Sequence, residues 1–168
     1  DLLMDPNIPL VTLSGTSGTP FLNSGTFTAS TGTVTYTGNN SGGNTTVAAV
    51  TYNNLTLNNA SETYVLAGTT TVGGNLTITA GTLDTVSGQN YALSVGGNFS
   101  NAGTFTARSG TVTLTGTDSD NTLTSGGTSF YNLTQNGSGG TYALQDTTIV
   151  SNVLTITAVT LNAGAVTL

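Results

Sequence analysis

Residues 73–83 read GGNLTITAGTL, and residues 96–105 read GGNFSNAGTF. The second stretch begins at an offset of 23 from the first (96 − 73) and has lost one residue between its halves. Both alternate apolar residues with Thr, Ser or Asn, the period-two pattern of a strand with one face buried. The flanking Gly and Asn residues reach left-handed backbone conformations at low cost, as sharp corners require. Leu55 precedes Leu76 at an offset of 21 (76 − 55) and extends the spacing backwards. Strand units that return at such intervals suit a chain wound into coils, each too small to be stable alone and each stacked on the next.

A longer echo encloses the short one. FLNSGTFTASTGTVTYTG at 21–38 matches FSNAGTFTARSGTVTLTG at 99–116 at 13 of 18 positions, an offset of 78 (99 − 21). The same offset carries Asn54-Leu55-Thr56 onto Asn132-Leu133-Thr134, Tyr64 onto Tyr142, and Leu76–Ala80 onto Leu154–Ala158 without a gap. The predicted organisation is an N-terminal segment at 1–12, then a 78-residue repeat at 13–90 and a second at 91–168. Three coils per repeat would have an average length of 26 (78/3), giving about six coils in all.

The fold class expected is all-β, a right-handed parallel β-helix. The competing architecture is two tandem immunoglobulin-like sandwiches, since the repeat approaches the size of such a domain. Against it stand the missing linker, the missing core Trp and the shorter echo, which a sandwich does not need. In the solenoid, Phe27, Val34, Tyr36, Leu55, Leu57, Leu76, Ile78, Leu83, Phe99, Phe105, Val112, Leu114, Leu133, Leu154, Ile156 and Leu161 point inward. Asn75 and Asn98, at equivalent corners, are expected to form a buried amide ladder.

The GGNLTITAGTLD and GGNFSNAGTFTARSGTVTLTGT patterns resemble the tandem repeats of very large bacterial surface and secreted proteins. These include the β-solenoid passenger regions of autotransporters and filamentous-haemagglutinin-like adhesins. The resemblance runs from about Phe21 onward and rests on Gly-Gly-Asn corners and Thr-rich strands. It implies a stalk, spacer or adhesive fibre at the cell surface, and it transfers no catalytic residue.

Composition narrows the chemistry independently. The 168 residues contain no His, no Cys, one Lys or Arg (Arg108) and seven Asp or Glu, for a net charge of −6. Ser-His-Asp and Cys-His triads, Schiff-base lysines and ordinary zinc sites are therefore unavailable. One positive charge does not neutralise a phosphate backbone, so nucleic acid is not an expected partner. No apolar run reaches the ~18 residues of a spanning helix, so membrane insertion is not expected either. The start DLLMDPNIPL lacks the form of a signal peptide, and the composition suits an extracellular protein.

Four candidate chemistries remain to be weighed. A polysaccharide-binding or polysaccharide-cleaving β-helix would need clustered acids with a base. Here Glu62, Asp84, Asp118, Asp120 and Asp146 fall at scattered coil positions, and the residue matching Arg108 one repeat earlier is Ser30. Asp118 and Asp120 alternate with small residues as calcium ligands do, but no later Glu completes the set, and a solvated loop is the expected reading. Thr-x-Thr units at 26/28, 33/35/37, 77/79, 104/106, 111/113/115 and 155/157 raise ice binding as the alternative function, with loops at 38–50 and 116–128 expected to interrupt the ladders. The Asn-x-Ser/Thr sequons follow from corner Asn and outward Thr, and are weak evidence for glycans. No enzyme activity and no cofactor is expected.

The chain equals two repeats plus twelve residues (168 − 156), and the apolar ends lack the polar caps of an isolated solenoid. The expected partners are therefore copies of itself joined head to tail, or adjacent repeats of a longer chain. The expected contact residues are Leu2, Leu3, Met4, Ile8, Leu10, Val11 and Leu13 at one end, and Leu161, Val166 and Leu168 at the other.

Overall fold

The structure is a computed structural model that describes residues 2–3, 10–157 and 159–163. Their strands, in order, are β1 (Leu2–Leu3), β2 (Leu10–Leu13), β3 (Phe27–Thr28), β4 (Thr33–Tyr36), β5 (Thr45–Val47), β6 (Thr51–Tyr52), β7 (Asn54–Leu66), β8 (Thr70–Val72) and β9 (Leu76–Asp84). There follow β10 (Leu93–Val95), β11 (Phe99–Asn101), β12 (Thr104–Thr106), β13 (Thr111–Leu114), β14 (Asn121–Thr124), β15 (Ser129–Gln135), β16 (Thr141–Leu144), β17 (Ile149–Ile156) and β18 (Thr160–Asn162).

Among the described residues there is no helix, and every strand pair is parallel. The chain is thus a β-solenoid, and the antiparallel sandwich alternative falls. Each turn visits three faces. The first stacks β2, β4, the start of β7, the start of β9, β11, β14, β16 and β18, which makes about seven turns. The second stacks β5, the end of β7, the end of β9 and β12. The third stacks β6, β8, β10, β13, β15 and β17.

Register gives the true winding length. On the first face Val11 pairs with Val34, Val34 with Leu55, Leu55 with Leu76, Leu76 with Phe99, Phe99 with Leu123 and Leu123 with Leu144, so successive offsets are 23, 21, 21, 23, 24 and 21. The expected coil of 26 is corrected accordingly. Val34 lies on the first face, whereas its repeat partner Val112 lies on the third, paired with Leu93. Between them the chain crosses the first face at Leu55, Leu76 and Phe99, so one repeat spans three and two-thirds turns. The repeat preserves a strand–corner–strand unit and shifts it by one face at each recurrence.

The core runs down the axis. Leu55, Leu57, Tyr64, Leu76, Ile78, Leu83 and Phe99 are fully buried, and Phe99, Phe105 and Phe130 form a ring cluster with centroids 5.3–5.7 Å apart. Most of the residues expected inside are there. Leu154 and Ile156 are the exceptions, 37% and 47% exposed, because β17 is the end strand of its sheet and no described turn covers it. Gly-Gly-Asn marks the corner from third to first face. A Cβ on Gly96 would strike the Gly73 carbonyl of the preceding turn, so only Gly lets the two corners stack.

The Asn ladder exists in another form. The Asn54 side-chain oxygen accepts the Asn75 backbone N–H, Asn75 accepts that of Asn98, and Asn98 accepts that of Thr122, each at 2.8 Å. These amides lie at the surface and bond to backbone rather than to each other, because they project outward beside an inward Leu or Phe.

Candidate functional site

The structure disperses most of the candidates read from the sequence. Asp118 and Asp120 are exposed between β13 and β14, and the Asp118 carbonyl accepts Asn121 Nδ2 at 3.0 Å and the Thr141 N–H at 2.9 Å. Among the described residues no three Asp or Glu gather into a possible metal set. Glu62 is buried at the corner before the second face. Its Oε2 accepts the Asn40 N–H at 2.7 Å, while its Oε1 has no hydrogen-bond partner.

One charge contact escaped the sequence reading. Arg108 Nε and Nη2 donate to Asp84 Oδ1 and Oδ2 at 2.9 and 2.6 Å, a bidentate pair between adjacent turns. The guanidinium holds the Asp84 carboxyl below its usual value and is itself raised in return. Asp84 Oδ1 also accepts the Val86 N–H at 2.8 Å. Val86, Asn90 and Arg108 all have positive φ, at 70°, 52° and 51°, so this corner is a compact, strained cluster. The sole base of the chain is thereby tied to a carboxylate. The signal was an offset of 24 (108 − 84), close to one turn, which a longer assumed coil obscures.

Among the described residues, two shallow apolar grooves stand out. One, of about 380 Å³, is lined by Phe27, Ala29, Thr51 and Tyr52 among others; the other, of about 360 Å³, by Phe21, Leu22, Ala48 and Val50 among others. Neither contains an acid or a base. The Tyr52 hydroxyl lies 3.0 Å from that of Tyr36 and donates to the Ala48 carbonyl at 2.9 Å, and burial pushes both phenols well above their usual value. Tyr64 is pushed up to about 12 by burial and the nearby Glu62. These phenols are structural donors, protonated at ordinary pH.

The two ends are unlike the middle. Leu2–Leu3 pair with Phe27–Thr28, and Leu10–Leu13 with Thr33–Tyr36, so the first strands wind onto this chain's own turns. Val11 and Leu13 pack on the core, while Leu10 is 55% exposed. Leu161 packs on the core beside its pair Tyr142. Met4, Ile8, Val166 and Leu168 lie outside the described residues. Among the described residues, four of the six exposed large hydrophobics lie together on β17, where sequence reasoning expected no contact surface: Ile149, Val153, Leu154 and Ile156.

The outward hydroxyls form columns. On the third face Thr51, Thr71, Ser94, Thr113, Thr134 and Thr155 stack in register, one per turn. On the first face Thr12, Thr35, Thr56, Thr77, Ser100 and Thr124 do the same. The loops at 38–50 and 116–128 do not break either column, because their irregular parts lie at corners, off the faces.

No protein-family model, curated protein or solved structure matches this chain.

Proposed function

We propose that this chain is a non-catalytic structural module, a rod segment serving as stalk or spacer of an extracellular filament or adhesin. It is extended head to tail by further turns of a longer chain or by another copy. The observation that carries the reading is the end strand β17, whose inward Leu154 and Ile156 stand exposed beside Ile149 and Val153. Among the described residues no strand pairs with the outer edge of β17, and such an apolar edge favours another winding stacked on it.

The rest of the molecule fits a load-bearing part. The parallel ladder runs unbroken through about seven turns, roughly 34 Å at ~4.8 Å per strand. Among the described residues the charges lie off the first and third faces, and the one base is paired with Asp84. The low content of charge and the Thr, Asn, Ser and Gly surface support an extracellular setting, as in the surface repeats that the sequence resembles.

Negative-stain microscopy with sedimentation over rising concentration tests copy-to-copy stacking. Rods that lengthen in steps of one solenoid are expected, and Leu154→Lys with Ile156→Lys should keep them short. Single solenoids at every concentration would remove the head-to-tail copy from the proposal.

A further inference from the structure

The third face has a property that stacking does not require. Its six strands contain no charged residue, and its outward hydroxyl column continues for six turns without substitution by anything but Ser94. Two positions earlier a shorter outward column pairs Thr111, Asn132 and Val153 in successive turns, with Ala92 just before β10 at the matching position. Inward Leu93, Val112 and Leu133 alternate with these positions, and all three are buried, which fixes the outward set.

The result is a periodic array with a spacing of about 4.8 Å between turns and about 6.6 Å along each strand, in register at the hydroxyl column through β17 although β15 and β17 shift register between Phe130 and Asn132. Each Thr presents one methyl and one hydroxyl, and β-branching limits its rotamers. The positions are preorganised, so ordering the array on binding costs little. A globular partner has no such period. A charged polymer would find no opposite charge, and a sugar chain would find no aromatic platform in the two columns.

We infer that the third face binds ice. The methyls hold a layer of water in order, the hydroxyls anchor it by hydrogen bonds, and the two-dimensional regularity of the array suits a lattice of water. The first face is the natural contrast. Its hydroxyl column runs beside three amides in successive turns, Asn54, Asn75 and Asn98, whereas the matching positions of the third face hold one amide, Asn132, which is bonded to Thr111 and Asn152, among Ala92, Thr111 and Val153. The inference is independent of whether copies stack, because one solenoid carries the whole array.

Thermal hysteresis and ice-crystal shaping by the intact purified chain test it. The chain should arrest crystal growth within a hysteresis gap. Thr113→Lys with Thr134→Lys, both on outward positions, should abolish that arrest while leaving the circular dichroism spectrum and melting temperature unchanged. Thr56→Lys with Thr77→Lys on the first face should retain it. Absence of arrest by the parent chain would overturn the inference, as would equal loss in both variants. Retention on insoluble polysaccharide without any effect on ice would overturn it in favour of a glycan.

Discussion

Residues 27–36 and 105–114 are nearly the same sequence placed in different surroundings. Their corners are alike: Gly32 N–H donates to the Ala29 carbonyl and Gly110 N–H to the Ala107 carbonyl, both at 2.9 Å, with Ser30 and Arg108 at φ 48° and 51°. Their neighbours are not. Phe27 packs beside Phe21 and Tyr52, whereas Phe105 sits on the second face between Phe99 and Phe130. Val34 lies on the first face and Val112 on the third. The sequence unit therefore specifies strands and a corner, and the three faces accept it interchangeably, because each buries a similar inward row of Leu, Val and Phe.

Matched truncations test that interchangeability with the largest effect. Leu55 and Leu133 are repeat partners on the first and third faces, at 0% and 1% exposure. Leu55→Ala and Leu133→Ala should each cost about 3 kcal/mol in denaturant unfolding. A difference as large as the loss itself would mean that the faces are not equivalent.

Gln135 sharpens the comparison from the other side. Its repeat partner is Leu57, fully buried, yet Gln135 is buried with neither amide atom hydrogen-bonded. Gln135→Leu should stabilise the chain by about 1–3 kcal/mol, since it removes an unpaired polar group and restores the repeat residue. Destabilisation on the same assay would show that the amide has a partner in solution.

The all-β winding was legible because inward apolar and outward Thr residues alternate, and because Gly-Gly-Asn recurs at the turn spacing. The turn length was not legible from the longer echo. A local unit that fits any face carries no information about which face it occupies, so dividing the repeat evenly by three gives the wrong coil. The Asp84–Arg108 pair was lost with it. The inward positions were readable along the middle, from Val34 to Leu133, and failed at Leu154 and Ile156, where burial depends on what lies beyond β17 rather than on the strand itself. The continuous hydroxyl columns were also hidden, since a loop that interrupts the sequence pattern leaves the face intact when it departs at a corner.

Corner strain offers a smaller test. Ser30→Gly should stabilise by about 1 kcal/mol, because Gly occupies positive φ without the Cβ penalty. Arg108→Gly should gain less, since it also loses the ion pair with Asp84. Equal gains in thermal unfolding would mean that the pair contributes nothing.

The smallest effect is the acid limb of stability. The folded-state value of Asp84 lies below its ordinary one, so its contribution is complete above the usual carboxylate range and fades as pH falls through the depressed value. Asp84→Asn should flatten this part of the melting-temperature profile between about pH 2 and 5. An unchanged profile would remove the ion pair from the account.

The winding itself is tested most directly by crosslinking, which is clean because the chain has no Cys. Thr56 pairs with Thr77 one turn away on the first face, whereas its repeat partner Thr134 lies on the third. With a short thiol crosslinker, the Thr56→Cys/Thr77→Cys variant should join within one chain, and Thr56→Cys/Thr134→Cys should stay free. Joining of the second pair and not the first would contradict a solenoid in which one turn carries Thr56 onto Thr77.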